Sequence, residues 1–311
     1  MKDSTRRVFR MHGWRIDRAL HNWLYFVFYD RYVAVFLAFG RLAVRWFGWV
    51  PVLSIAFRAV FDRYHAKVLT RDDVEKILAL RGDFFGDPDI ATRVVPYPYA
   101  NKVLFADPDW IAVMDCPCRL SRDEHCEPVR VCIAVGRTTA QFWLEHGAKF
   151  HVERITPENA LSIIRGARAR GNITTAWFKV ATGGRTGVLC SCCSCCCGGL
   201  EAMRLARKTA GGKAVSNLVP SGYLARFDED ACRGCGTCEH VCMFHAMSRT
   251  AEGKRSYDAA ACMGCGLCVE HCTGKAIRLE HDPAKGTPLD LDLLRTTGAV
   301  NQQPVWTGGG R

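Results

Sequence analysis

The chain lacks any apolar run long enough to cross a bilayer. From Trp23 to Phe57 the hydrophobic residues are broken by Asp30-Arg31, Arg41, Arg45 and Pro51. The longest stretch, Trp46 to Phe57, falls short of the ~18 to 20 residues that a spanning helix needs. No Walker-type or GxGxxG run occurs, so nothing points to a backbone cradle for nucleotide phosphates. Gly183-Gly184-Arg185-Thr186-Gly187 precedes Val188-Leu189-Cys190 instead of opening a helix, and it reads as a hairpin turn. Acidic residues are scarce at the amino terminus, where the first 70 residues carry 12 Lys and Arg against 4 Asp and Glu, a net +8 of the chain's +11.

Cysteine, by contrast, is abundant, with 18 among 311 residues. No cleavable secretory signal is evident, so the thiols are expected to be metal ligands in a reducing compartment, the cytoplasm, rather than disulfides. Eight of them form two copies of one spacing, C-x2-C-x2-C-x3-C: Cys232, Cys235, Cys238, Cys242 and Cys262, Cys265, Cys268, Cys272. Three thiolates two residues apart can be wrapped round one metal cube by a tight loop. Gly234, Gly236, Gly264 and Gly266 let the backbone amides turn toward the sulfurs. The copies lie 30 residues apart, and Ala231-Cys-Arg-Gly-Cys-Gly-Thr-Cys matches Ala261-Cys-Met-Gly-Cys-Gly-Leu-Cys, which indicates an internal duplication.

On these motifs residues 223–280 resemble the 4Fe-4S dicluster domain of bacterial ferredoxins, in which the fourth cysteine of each run crosses to the other cluster. The resemblance implies two 4Fe-4S clusters, one on Cys232, Cys235, Cys238 and Cys272, the other on Cys262, Cys265, Cys268 and Cys242. The proline usual after each fourth cysteine is replaced by Met243 and Thr273, which bears on turn shape and potential more than on ligation. Two zinc sites are the alternative, since zinc also uses C-x-x-C pairs.

Ten cysteines lie outside this run. Cys116, Cys118, Cys126 and Cys132 form one group, and Cys190, Cys192, Cys193, Cys195, Cys196 and Cys197 are packed into eight residues. A structural cysteine behaves as a small hydrophobe and is expected singly at core positions, so this crowding reads as a ligand cassette. Adjacent side chains point apart, so the six are not all expected on one centre. At least one further iron-sulfur cluster is expected, with zinc or reactive thiols as alternatives. The order of a Cys-Pro-Cys-Arg segment, two later cysteines, the cassette and a dicluster domain resembles a group of bacterial 4Fe-4S dicluster proteins without settled activity. That resemblance supports the architecture and supplies no substrate.

The expected fold is α+β: a basic, aromatic helical segment over 1–70, a small mixed α/β cysteine-rich domain over 71–210, a dicluster ferredoxin-like domain over 221–282, and an extended tail over 283–311. Thr70 caps a short helix over 71–81, and Asp109 to Asp115 reads as a buried strand delivering Cys116 and Cys118. Pro157 opens a helix closed by Gly171, Ile173 to Val180 is a strand, and Glu201 to Lys208 is a helix. Residues 82–98, with Asp87-Pro88, Pro96 and Pro98, read as a linker or wrapping loop.

Basic and aromatic residues together over residues 1–60 suggest an interface, either an anionic membrane surface or a membrane partner, with self-packing and insertion as the alternatives. Thr5-Arg6-Arg7-Val8-Phe9-Arg10 resembles a twin-arginine export signal, but Arg15, Asp17 and Arg18 interrupt the place of its apolar stretch. Nucleic-acid binding is not expected, because the arginines are interleaved with apolar aromatics.

The leading expectation is an iron-sulfur protein, cytoplasmic or peripheral on the cytoplasmic membrane face. It relays single electrons through the two clusters to or from a further centre or a redox protein partner. Arg226, Arg233, Arg249, Lys254, Arg255 and Lys275 are candidates to guide an acidic partner. The alternative is a reductase whose upstream cysteines hold a catalytic cluster, with Asp115, Asp123 and His125 as candidate acids.

Overall fold

The computed structural model describes residues 1–81, 84–85, 103–105, 107–179, 185–212, 215–250 and 255–291. The linker expected over 82–98 and the tail beyond residue 291 lie almost wholly outside the described residues. So does the tip of the 183–187 turn.

Helices α1 (Asp3–His12), α2 (Ile16–Val27), α3 (Tyr29–Phe47) and α4 (Pro51–Phe61) open the chain. The strands that follow are β1 (Tyr64–Leu69), β2 (Phe84–Phe85), β3 (Val103–Phe105), β4 (Ile111–Asp115), β5 (Arg130–Val135), β6 (Glu153–Arg154), β7 (Ile173–Lys179), β8 (Arg185–Cys192) and β9 (Leu218–Val219). Between them run α5 (Arg71–Leu78), α6 (Pro117–Leu120), α7 (Arg137–His146), α8 (Pro157–Ala169) and α9 (Gly198–Arg207). Seven of the strands form one sheet in the order β6-β4-β5-β8-β7-β1-β9, antiparallel except for the β1–β9 pair, while β2 and β3 pair separately.

Alternation along the strands sorts the side chains into two faces. Leu69, Ile111, Val113, Ile133, Val135 and Leu189 meet α5 and α8 on one face. Met114, Cys132, Ala134, Ala66 and Val68 point to the other, which α1 to α4, α7 and α9 cover. The amino-terminal helices bury an inner face: Tyr25 meets Tyr29 edge-on, Phe26 packs tilted on Phe142 and edge-on against Trp143, and Val33 and Leu37 pack by Ala202 and Leu205. No helix among the described residues is long and apolar enough to cross a membrane.

The local expectations hold at the caps. Thr70 and Asp73 form a reciprocal capping box on α5, and Thr156 Oγ1 accepts from the Asn159 amide at 3.2 Å. The helix expected from Glu201 begins three residues earlier, capped by Cys197. Leu289 and Leu291, early in the expected tail, are buried in the α5/α8 core.

The ferredoxin-like part repeats one unit. β10 (Tyr223–Phe227), α10 (Thr237–Val241) and β11 (Met247–Arg249) are followed by β12 (Arg255–Tyr257), α11 (Leu267–Glu270) and β13 (Ile277–His281). β10 pairs antiparallel with β13 and β11 with β12, so each half donates a strand to the other.

Candidate metal centres

Each cysteine loop of the ferredoxin part turns through left-handed glycines. Gly234, Gly236, Gly264 and Gly266 have φ of +66, +77, +65 and +80°, a conformation that costs any residue with a Cβ. Two cavities result. One, open to solvent, is lined by Cys232, Cys235, Cys238 and Cys272. The other, smaller, is lined by Cys262, Cys265, Cys268 and Cys242. The chain thus brings together the crossed sets implied by the ferredoxin resemblance, and the donors fit the cubes chemically. Ala276 N–H points at Cys272 Sγ at 3.3 Å and Arg255 Nη1 at Cys232 Sγ at 3.7 Å, the hydrogen bonds to sulfur that a negatively charged centre uses.

The two cavities differ in surroundings. Cys232 and Cys235 are exposed, and the Thr237 hydroxyl holds the Cys235 thiol below its ordinary value. Burial pushes Cys265 up to about 11. Cys265 packs with Met263, Leu267, Val241, Met243 and Phe244 into the same apolar cluster as Cys190, Cys192 and Cys197 of the sheet region. Met243, standing where proline is usual, therefore belongs to the surface that docks on the sheet.

The ten upstream thiols divide into two groups, and all eighteen cysteines are free. Cys132 on β5 faces Cys190 on β8 across the ladder, and Cys192, two residues on, points the same way. Cys116 and Cys118, at the end of β4 and the start of α6, join them. Sulfur contacts then run Cys118–Cys116–Cys132–Cys190–Cys192–Cys197, the last at 3.2 Å. Contacts from Cys190 and Cys197 hold the Cys192 thiol well below its ordinary value in spite of burial. Cys126, Cys193, Cys195 and Cys196 gather separately around the turn after β8.

These six thiols, Cys118 and Cys190 half-buried and the other four buried, line a cavity of about 120 Å³ between the sheet and the helical layer. Its far wall comes from Tyr25, Tyr29, Tyr32 and Phe36, which the sequence marked only as aromatic. Burial raises the phenols of Tyr25 and Tyr29 well above their ordinary value, so both hold their protons at neutral pH. Arg119 also lines the cavity and is 1% exposed. Its Nη1 donates to the carbonyls of Cys126, at 3.2 Å, and Pro128, while Nε and Nη2 have no partner among the described residues. A buried guanidinium whose charge is matched only by carbonyls is costly unless an anion stands near it, so its presence among thiols fits a thiolate-bound centre.

The expected acids are elsewhere. Asp115 is engaged by His151 at 2.6 Å and Arg130 at 3.6 Å, and neither Asp123 nor His125 lines the cavity. Of the expected guiding cations, Arg226, Arg249 and Arg255 pair with Glu280, Glu239 and Glu229. Arg233 and Lys275 are exposed, and Lys254 lies outside the described residues.

Comparison with known families agrees with this architecture. Residues 224–273 match the model of the 4Fe-4S dicluster domain. The chain therefore carries a 4Fe-4S dicluster domain behind a cysteine-rich region spanning residues 116–197. No curated protein matches it significantly.

Proposed function

We propose that this iron-sulfur protein passes single electrons between a partner at the exposed Cys232/Cys235 face and a further iron-sulfur centre held by Cys116, Cys118, Cys132, Cys190, Cys192 and Cys197. Iron-sulfur cubes supply one-electron exchange. The protein's contribution is to set them in series. The observation that carries the reading is the apolar cluster shared by Cys265 and by Cys190, Cys192 and Cys197, which gives continuous apolar packing from the second ferredoxin site to the upstream thiols. Arg233 and Lys275, exposed and without an ion pair among the described residues, offer positive charge to an acidic donor. Reduction of the buried centre by an acidic protein donor should slow at least tenfold in Cys235→Ala. An unchanged rate would contradict the series arrangement.

The cavity favours a second reading, a reductase acting on a small molecule, with Tyr25 and Tyr29 as proton-bearing groups beside the thiols. Small ligands added to the reduced protein should perturb one centre alone if that reading is right; indifference of all centres favours the relay.

The outer faces of the helices support an anionic membrane surface as a further partner. Val35, Phe39, Leu42 and Trp46 line one exposed side of α3, continued by Trp49, Val52 and Ile55, with Arg41 and Arg45 beside them. An exposed apolar face edged by arginines suits an interfacial helix. The full chain should float with phosphatidylserine vesicles, and Phe39→Glu/Trp46→Glu should not; equal flotation of both would refute this partner.

A further inference from the structure

Cys126, Cys193, Cys195 and Cys196 bring all four sulfurs within 4.8 Å of one another. Four thiolates about 2.3 Å from a single tetrahedral ion stand about 3.8 Å apart. A cube interposes an iron between each thiolate and its own body, so its ligands stand wider. The ferredoxin cysteines of the same chain supply the comparison: among the described residues, no three of them meet the 4.8 Å condition.

The surroundings suit a charged site of this kind. Four thiolates on a divalent ion leave a net double negative charge. Arg119 is buried beside Cys193 and Cys126, and Arg122 donates to the Cys196 carbonyl at 3.3 Å. Arg204 donates to the Ser194 carbonyl within the turn, and the Cys126 amide points at Cys196 Sγ at 3.4 Å. The amide donor to sulfur helps to spread the ligand's charge, and the guanidiniums hold the backbone of the turn that carries the ligands.

We propose that these four cysteines bind one divalent thiophilic ion, zinc or iron, as a mononuclear site distinct from the six buried thiols. Binding releases the thiol protons to solvent and forms four metal–sulfur bonds without inorganic sulfide. The ion ties the loop carrying Cys126 to the turn after β8. Cys193 lines the buried cavity as well, so the ion closes one side of it.

The test is total metal and acid-labile sulfide in the anaerobically purified full chain and in Cys126→Ser/Cys195→Ser. The variant should lose one ion per chain with sulfide unchanged, elemental analysis saying whether the ion is zinc or iron. Unchanged metal, or a loss of sulfide together with metal, would overturn the proposal. Should the variant not fold, the wild-type count still decides: an excess of one metal over sulfide is expected, and equal counts would overturn it.

Discussion

Arg168 of α8 reaches out of the sheet region and grips Glu270 of α11, its Nε 3.0 Å from both carboxylate oxygens. The same guanidinium donates to the Cys265 carbonyl at 2.6 Å and, more loosely, to the Leu69 carbonyl and Thr174 Oγ1. Arg168 is 1% exposed. One buried cation thus holds the second cysteine loop against the ends of β1 and β7, and Ser221 Oγ, donating to the Gly264 carbonyl at 2.7 Å, fixes the same loop a second time.

Glu270→Ala strands that guanidinium. Removing one partner of a buried pair costs about 3–5 kcal/mol, and the lower end applies because Glu270 is itself partly solvated. The denaturant midpoint of the cluster-loaded chain should fall by about 3 kcal/mol equivalent, and proteolysis should separate the two parts. A loss under about 0.5 kcal/mol, the usual range of a surface change, would show that the docking does not depend on this contact.

Two glycines with nearly the same φ should respond differently. Gly234, at +66°, has open space where a Cβ would go, whereas at Gly264, at +65°, a Cβ would meet Ser221 Oγ and the Tyr223 carbonyl. Gly234→Ala should cost about 1 kcal/mol, the left-handed penalty alone. Gly264→Ala adds about 1–3 kcal/mol of overpacking and should lose iron from the second quartet first. Equal losses would mean that the docking of that loop is not tight.

Arg119→Leu removes positive charge beside the six buried thiols. Reduction adds negative charge, so the centre's potential should fall by about 60 mV or more, a tenfold change for one electron. The ferredoxin centres should not move. Redox titration followed by electron paramagnetic resonance separates the cases, and a buried centre with unchanged potential would place Arg119 in a purely structural role.

Lys67 is 2% exposed and donates to the carbonyls of Pro220 and Thr287, at the junction of the two parts. Burial lowers its pKa to about 8 against a weak opposing pull from Asp73. The unfolded chain, near 10.4, therefore holds the proton when the folded one has lost it. Stability should rise with pH above about 8 from this group, by up to about 1.4 kcal/mol per pH unit. Relative to Lys67→Met, wild type should gain stability between pH 8 and 10; parallel curves would contradict the burial.

The ferredoxin part was legible because its information is local: spacing, glycines and duplication all lie within one segment. The cap at Thr70 and the helix start at Pro157 were legible for the same reason. The division of the upstream thiols was not, since it depends on tertiary geometry. Cys190 and Cys192 share a face of β8, Cys132 meets them only through strand pairing, and the turn after β8 carries Cys193, Cys195 and Cys196 away before Cys197 returns at the cap of α9. The wall of tyrosines escaped for a related reason: the basic, aromatic composition of the amino terminus recorded its outer face, while Tyr25 and Tyr29 acquire their place only when α2 and α3 fold onto the sheet.

In the proposed relay, inorganic sulfur sits in two places, the duplicated loops and the upstream thiols between sheet and helices. Quantifying acid-labile sulfide in oxygen-free full-length protein tests it most directly, because a lone metal ion adds none. About eight sulfides are expected from the two cubes and a clear excess over eight from the buried centre, with the excess lost in Cys132→Ala/Cys190→Ala. Sulfide fixed at eight after complete reconstitution, and unaltered by those substitutions, would contradict it.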